Sequence, residues 1–377
     1  MPSKPLANLQ SIFSTRFQNN LMKSNSKFTF LFSLAATILL NGAANAQVEL
    51  TVTGSTAFRA ITIERSAAIF DPGYTAITND ATAGKITFTG TMTTAAPVLG
   101  NTVVRLRLSF SGSLSGMNAV NNLTPVNTAE AEGGVTANKV PDAAFSDVFP
   151  AAAVPPIPDA AFTQYNVGVV PMVYVKNNGL AEVSNITQDQ AVFLMVNSGA
   201  SMPQTYLGGS SSSGVYLIGR DGGSGTRATV EKCTKFVGSP VLWATNGTGS
   251  YVITNGYSSG GSVRNVLKGA ADAIGYMSLG DWLPIAGQTT VLAYNGVPFN
   301  ITNVYTGQYT IWGYQHLVHR VGGLSGSQQQ VFNALKNAIV DPNYQETSPL
   351  YAPNFGELKK MQVERTSDGG PLSSLLF

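Results

Sequence analysis

The chain has 377 residues, enough for two lobes or domains, and 44% of them are hydrophobic, enough to bury sizeable cores. Only 11% are charged, against about a quarter in an average protein, so Gly, Ser, Thr and Asn supply the polar surface. No clustered basic face stands out, which excludes a nucleic-acid partner, and the single cysteine, Cys233, excludes an intrachain disulfide or a cysteine-based metal site.

The first element is a leader. Lys23 and Lys27 precede the apolar run Phe28–Leu40, and Ala44-Asn45-Ala46 follows it. A basic stub, a short apolar core and an A-x-A site predict a secretory signal peptide over residues 1–46, cleaved after Ala46, with Met22 as an alternative start. The run is too short to span a membrane. The leader holds Lys4, Arg16, Lys23 and Lys27 and no acid, so the mature chain carries 18 basic and 20 acidic side chains, a formal net of −2. No cysteine stands at the cleavage site, which excludes a lipoprotein-type anchor. The expected location is the periplasm or the exterior.

The mature chain opens with a strand, Val48–Thr53, alternating and rich in β-branched residues. Gly54-Ser55-Thr56 breaks it, and Ala57–Phe70 has the apolar spacing of a helix. Lys85–Met92 and Thr102–Phe110 read as strands, Asn118–Pro141 as a loop, and Pro150–Pro158 as a surface turn. The almost wholly apolar Val167–Val175 suits a strand covered on both faces. Thr187 caps a helix running to Asn197. Val215–Ile218 is a short strand, followed by a Gly-rich turn and a helix over Arg227–Phe236. A helix at Ser262–Lys268, strands at Ala273–Met277 and Tyr309–Val318, and a helix at Gln328–Ile339 complete the reading. Alternating β and α elements imply an α/β architecture with a mixed, mainly parallel sheet.

Three strand-to-helix turns share one composition: Gly54-Ser-Thr-Ala57, Gly112-Ser-Leu-Ser-Gly116 and Gly222-Gly-Ser-Gly-Thr226. A helix N-terminus exposes unpaired N–H groups at the positive end of the macrodipole. Glycine admits a ligand to the backbone, and Ser and Thr add hydroxyl donors, so each turn suits an anion. Each is equally an ordinary N-cap when taken alone. Their joint occurrence, with Arg220 four residues before Ser224, points to a tetrahedral oxyanion.

These residues carry a resemblance to the periplasmic phosphate-binding proteins of bacterial ABC uptake systems, within the type II periplasmic-binding-protein fold. Arg220-Asp-Gly-Gly-Ser-Gly-Thr226 is similar to that family's Arg-x-x-Gly-Ser-Gly-Thr loop, and Asp272-Ala-Ile-Gly-Tyr-Met-Ser-Leu279 to its Gly-Ala-Ile-Gly-Tyr-Val strand. Thr53–Phe58, Ser113–Gly116 and Ala144–Val148 resemble its first Gly-Ser-Thr turn, its second Ser-Gly turn and its Ser-Asp turn, all in the family's order.

The resemblance implies roles. Thr56 and the Ala57 N–H, with Ser55, would hold oxyanion oxygens. Ser113 would donate its hydroxyl, with Ser115 the alternative because the register is open. Arg220 would pair with two oxygens through its planar fork. Ser224, Gly225 and Thr226 would add backbone and hydroxyl donors. Asp147 would accept a hydrogen bond from the ligand's own proton. An ionised carboxylate only accepts, and hydrogen phosphate has a proton to give where sulfate has none. Sites of this kind reject analogues lacking the hydroxyl by ~10⁴–10⁵. The sequence departs from the family where Gly222, not an acid, precedes Gly223-Ser224-Gly225, which leaves Asp221 one residue early. It also departs at Arg227, in place of a second hydroxyl residue, and in apparent insertions at 74–100 and 117–143.

Catalytic signals are weak. His316 and His319, the only histidines, lack zinc-site spacing. Ser224 does not sit in G-x-S-x-G, no Walker A lysine is present, and no metal or cofactor is expected. Trp243, Trp282 and Trp312 read as packing. The expectation is a monomeric, non-enzymatic, two-lobe binding protein, with a cleft between a first lobe (48–172 and 303–377) and a second (173–302). It would capture phosphate or a similar oxyanion and deliver it to an ABC permease in the inner membrane. The alternatives are a secreted surface or matrix protein that keeps the fold without transport, and an exported enzyme acting on phosphoesters.

Overall fold

Two kinds of apolar pattern organise the chain: alternation, as in Val48–Thr53, and the unbroken run Val167–Val175. The computed structural model describes residues 47–375 apart from 79–83, 132 and 247, so the expected leader lies outside the described residues. Eleven strands form one mixed sheet. They are β1 (Val48–Gly54), β2 (Thr75–Thr78), β3 (Lys85–Gly90), β4 (Val104–Ser109), β5 (Ala143–Ser146), β6 (Phe162–Asn177), β7 (Gly199–Pro203), β8 (Gly214–Ile218), β9 (Ala273–Ser278), β10 (Thr289–Val291) and β11 (Trp312–Arg320). The order across the sheet is β7-β8-β9-β6-β11-β5-β1-β4-β3-β2, with β10 also pairing β6. β1 runs parallel to β4 and β5, and β8 parallel to β9. The other pairs are antiparallel.

The main helices are α1 (Arg59–Ala68), α2 (Ser113–Asn122), α3 (Gln188–Asn197), α4 (Gly225–Thr234), α5 (Gly260–Leu267) and α6 (Gly326–Val340). α1 follows β1, α2 follows β4 and α4 follows β8, so the three Ser-bearing turns all lie at the carboxyl ends of parallel strands. That is where open α/β sheets place ligands. Thr187 caps α3 through a reciprocal pair, accepting from Gln190 N at 3.2 Å while Gln190 Oε1 accepts from Thr187 N at 2.8 Å.

β6 runs through both parts of the sheet. Phe162–Pro171 pairs with β11, and Met172–Lys176 pairs with β9, so its partner changes at Pro171–Met172. Residues 167–177 are buried throughout, as an apolar run covered on both faces requires. One core joins Leu50, Val52, Leu106 and Phe145 around β1 to Val170, Leu217 and Ile274 around β6 and β8.

The expected loop at 118–141 is corrected. It holds the second half of α2 and then a hairpin, Val126–Ala131 with Val135–Lys139. Its Asn, Ala and Glu residues have little intrinsic strand preference, and long-range contacts decide the conformation instead. Thr87 Oγ1 donates to Ala129 O at 2.6 Å, and Ser109 Oγ to Asn127 O at 2.8 Å. Arg107, 1% exposed on β4, pairs with Glu130 at 2.8 Å and with Glu49 at 3.0 Å.

Candidate anion-binding site

The first turn is shaped by β1. Gly54 has φ +112°, and a Cβ there would lie 2.0 Å from the Phe145 carbonyl, so only glycine lets β1 end this close to β5. Ser55 N then donates to Phe145 O at 2.9 Å. The Ser55 hydroxyl accepts from Phe58 N at 3.3 Å and donates to Asp147 Oδ1. It therefore both closes the start of α1 and orients the acid.

Asp147 is 2% exposed, on the turn that follows β5. Its N–H donates to Ser113 Oγ at 3.2 Å, and Thr226 Oγ1 donates to its Oδ2 at 3.4 Å. Burial pushes its carboxyl above the ordinary range. Bonds from Ser55 and Ser113 and the Arg220 charge pull the other way, while Asp281 adds to the upward push. All three turns thus converge on Asp147 through Ser55, Ser113 and Thr226.

Arg220 leaves the end of β8 and is 1% exposed. Its Nε donates to Tyr257 O at 3.0 Å, and one Nη donates to Ser258 O at 2.9 Å and to Thr56 Oγ1 at 3.2 Å. Its backbone N–H donates to the Tyr276 hydroxyl at 3.3 Å. Among the described residues no carboxylate forms an ion pair with it. A buried guanidinium hydrogen-bonded only to neutral oxygens is a positive charge in a poorly screened place.

The third turn closes against the second. Leu114 N donates to Gly223 O at 3.1 Å. A Cβ on Gly225 would lie 2.4 Å from Ser113 Oγ and 3.1 Å from Asp147 Cβ. Ser224 is the N-cap of α4 and accepts from Arg227 N at 3.3 Å, which uses a lone pair and leaves its O–H able to donate. Thr226, at 1% exposure, faces inward.

Of the residues singled out from sequence, Ser55, Thr56, Ser113, Asp147, Arg220, Ser224, Gly225 and Thr226 lie together, with Ala57 partly exposed at the start of α1. Ser115 is exposed, with its hydroxyl beside Gly223 of the third turn, and Ser113 is the member of its turn that meets Asp147. Asp221 accepts from Gly223 N at 3.1 Å, a local turn bond, and does not pair with Arg220. Arg227 pairs with Glu231 along its own helix at 2.7 Å. His316 is buried, and burial lowers it to about 3, so it is a neutral core residue whose ring lies tilted 4.4 Å from that of Phe149.

Sequence reasoning missed the groups that hold Arg220. The Tyr257 and Ser258 carbonyls belong to a Gly/Ser-rich stretch with no chemical signature. Asp281 accepts from Ser278 Oγ at 2.8 Å and packs against Gly260 at the start of α5. Burial raises its carboxyl, and the Arg220 charge opposes that shift. Only the packing of α5 against β9 shows that an acid so far along the chain belongs beside Arg220.

Comparison with known proteins adds three findings. No family model matches the chain. The phosphate-binding protein PstS of Bacillus subtilis is 27% identical over 209 residues, 55% of this chain and 62% of that relative, so the match spans under two thirds of the relative's length. A Clostridium perfringens protein, assigned as a phosphate ABC transporter substrate-binding protein and solved with phosphate bound, superposes with a TM-score of 0.54 at 14% identity, covering 82% of this chain and 99% of that one. An ABC-type phosphate transport receptor from Vibrio cholerae follows at a TM-score of 0.48 and 13% identity, covering 76% and 93%. The superposition on the Clostridium perfringens structure shows the fold: the chain has the α/β fold of the type II periplasmic binding proteins.

Proposed function

We propose that this chain is an exported binding protein that captures phosphate, or a closely similar tetrahedral oxyanion, for ABC-type uptake. The observation that carries the reading is the charge balance around Arg220. Its guanidinium is buried among neutral oxygens, next to three hydroxyl-bearing turns and facing Asp147. An oxyanion completes that arrangement by bringing negative charge into direct hydrogen-bond contact with the guanidinium, which neither Asp147 nor Asp281 makes. Phosphate fits better than sulfate because Asp147 is a carboxylate placed to accept the ligand's proton.

The two-lobe reading gains support from the partner change of β6 at Pro171–Met172, which falls at the expected lobe boundary. Ser55, Thr56, Ser113 and Asp147 would come from the first lobe, and Arg220, Ser224, Gly225 and Thr226 from the second. Ligand bonded to both sets favours the closed arrangement over any open one. The signal-peptide pattern supports export, and the named relatives support delivery to a permease. The protein acts as a monomer and by capture rather than catalysis. Both histidines lie in the core around β11, away from a nucleophile–base arrangement.

A thermal-shift panel of phosphate, arsenate, sulfate and a simple phosphoester tests the reading. A ligand that binds only the native state raises the melting temperature in proportion to the logarithm of its concentration over Kd. The expected result is a clear shift with phosphate and arsenate and none with sulfate. A flat panel across all four would overturn it.

A further inference from the structure

The segment Arg365–Gly369 grips α4, whose start carries part of the candidate site, and the neighbouring strand β11. Arg365, 4% exposed, donates to Trp312 O at 3.1 Å and to Thr310 O at 3.1 Å, contacts Cys233 Sγ at 3.3 Å, and stacks 4.0 Å over the Trp312 ring. Gly369 has φ +61° and lies so close to α4 that a Cβ would meet Lys232 O at 2.2 Å. The Lys235 ammonium donates to Gly369 O. The segment is therefore fixed to β11 and to the carboxyl end of α4, the helix whose other end carries Ser224–Thr226.

Asp368 reaches from this segment to the acid turn. Its Oδ2 accepts from Phe149 N at 2.9 Å, two residues after Asp147. Its Oδ1 is buried and has no hydrogen-bond partner among the described residues. Burial raises its carboxyl to about 7, with the charges of Arg365 and Lys232 opposing and that of Asp147 adding. A half-satisfied buried carboxyl is costly to keep, so its bond to the acid turn has a use beyond packing. α4 supports the same turn from its other side, where Thr229 Oγ1 donates to Asp147 O at 3.3 Å.

We propose that Arg365–Gly369 is a brace for the anion site, and that Asp368 is a positioning residue that holds the Asp147 turn at a fixed distance from α4. The proposal rests on the phosphate-capture reading for its effect on affinity, but its mechanical part stands alone. Loss of the Asp368 acceptor frees the Phe149 N–H and lets the turn drift from Thr226. The segment binds no ligand itself.

The test compares wild type, Asp368→Ala, Asp368→Asn and Gly369→Ala in two assays at pH 8: calorimetric titration with inorganic phosphate, and amide hydrogen exchange without ligand. Asp368→Ala should weaken phosphate binding by roughly tenfold at most, because the lost bond is internal and only the part of its free energy needed to re-order the Asp147 turn reaches the affinity. It should also speed exchange in peptides covering 145–149 and 225–234. Asp368→Asn retains a carbonyl acceptor and should restore both. Gly369→Ala, which pushes a methyl onto Lys232 O, should reproduce the Asp368→Ala pattern. Unchanged affinity, or faster exchange confined to 363–375, would overturn the brace. A wild-type protein silent to phosphate would remove the capture reading, and the exchange data alone would then decide the brace.

Discussion

Asp147→Asn separates charge from shape at the centre of the site. The substitution keeps volume and one carbonyl acceptor, which can take the bond from Ser55, while the longer contact from Thr226 at 3.4 Å loses its acceptor. It removes the carboxylate proposed to accept the ligand's proton. A hydrogen bond to a charged group contributes about 1.5–3 kcal/mol, so phosphate affinity should fall roughly ten- to a hundredfold. Sulfate should respond in the opposite direction. The wild-type acid repels a fully ionised anion and offers it no donor, whereas the Asn amide offers an N–H. The discrimination of ~10⁴–10⁵ expected of a hydroxyl-reading site should shrink by two or more orders of magnitude. Titration calorimetry with phosphate and sulfate on both proteins reads the effect. An unchanged phosphate-to-sulfate ratio would refute the role given to Asp147, even if both affinities moved.

Three further outcomes follow from the geometry. Gly225→Ala places a methyl 2.4 Å from Ser113 Oγ and should destabilise the protein by about 1–3 kcal/mol while weakening phosphate binding, read by melting and titration on one preparation. Arg107→Ala removes one of the two arginines that pair with Glu130, Arg105 remaining at 2.8 Å, and weakens the hold on the 126–139 hairpin, so urea unfolding should show a loss of about 1.5–3 kcal/mol with phosphate affinity within twofold of wild type. Asp368, raised in the fold to about 7 from an ordinary 3.8, makes the native state bind more protons than the unfolded chain between those values. Its contribution to stability is therefore fully present below pH 3.8 and is lost as pH rises through 7. Asp368→Asn should melt progressively higher than wild type from pH 4 to pH 8, by up to about 4 kcal/mol, and a constant difference would contradict this.

Much of this site was legible from composition because each turn needs particular residues for local reasons. Gly54 is dictated by the Phe145 carbonyl, Ser224 by the cap of α4, and the unbroken apolar run of β6 by burial on both faces. The choice between Ser113 and Ser115 was not legible, because it depends on where α2 begins. Successive helical residues are about 100° apart, so two residues separated by one cannot both face inward. A start at Ser113 turns that residue to Asp147 and Ser115 to Gly223. The hairpin at 126–139 escaped notice because its residues favour no strand by themselves. The partners of Arg220 escaped notice because backbone carbonyls leave no trace in sequence. Asp281 and Asp368 were hidden for a third reason: only tertiary packing brings acids so distant in the chain to Arg220 and to the Asp147 turn.

The central claim is that the buried Arg220 guanidinium awaits an oxyanion. The most direct measurement is calorimetric titration of residues 47–377 with phosphate and then with sulfate, beside Arg220→Ala. The account predicts tight phosphate binding, weak or absent sulfate binding, and loss of both responses in the variant. Phosphate binding that survives Arg220→Ala, or no heat from any tetrahedral oxyanion in the wild type, would contradict it.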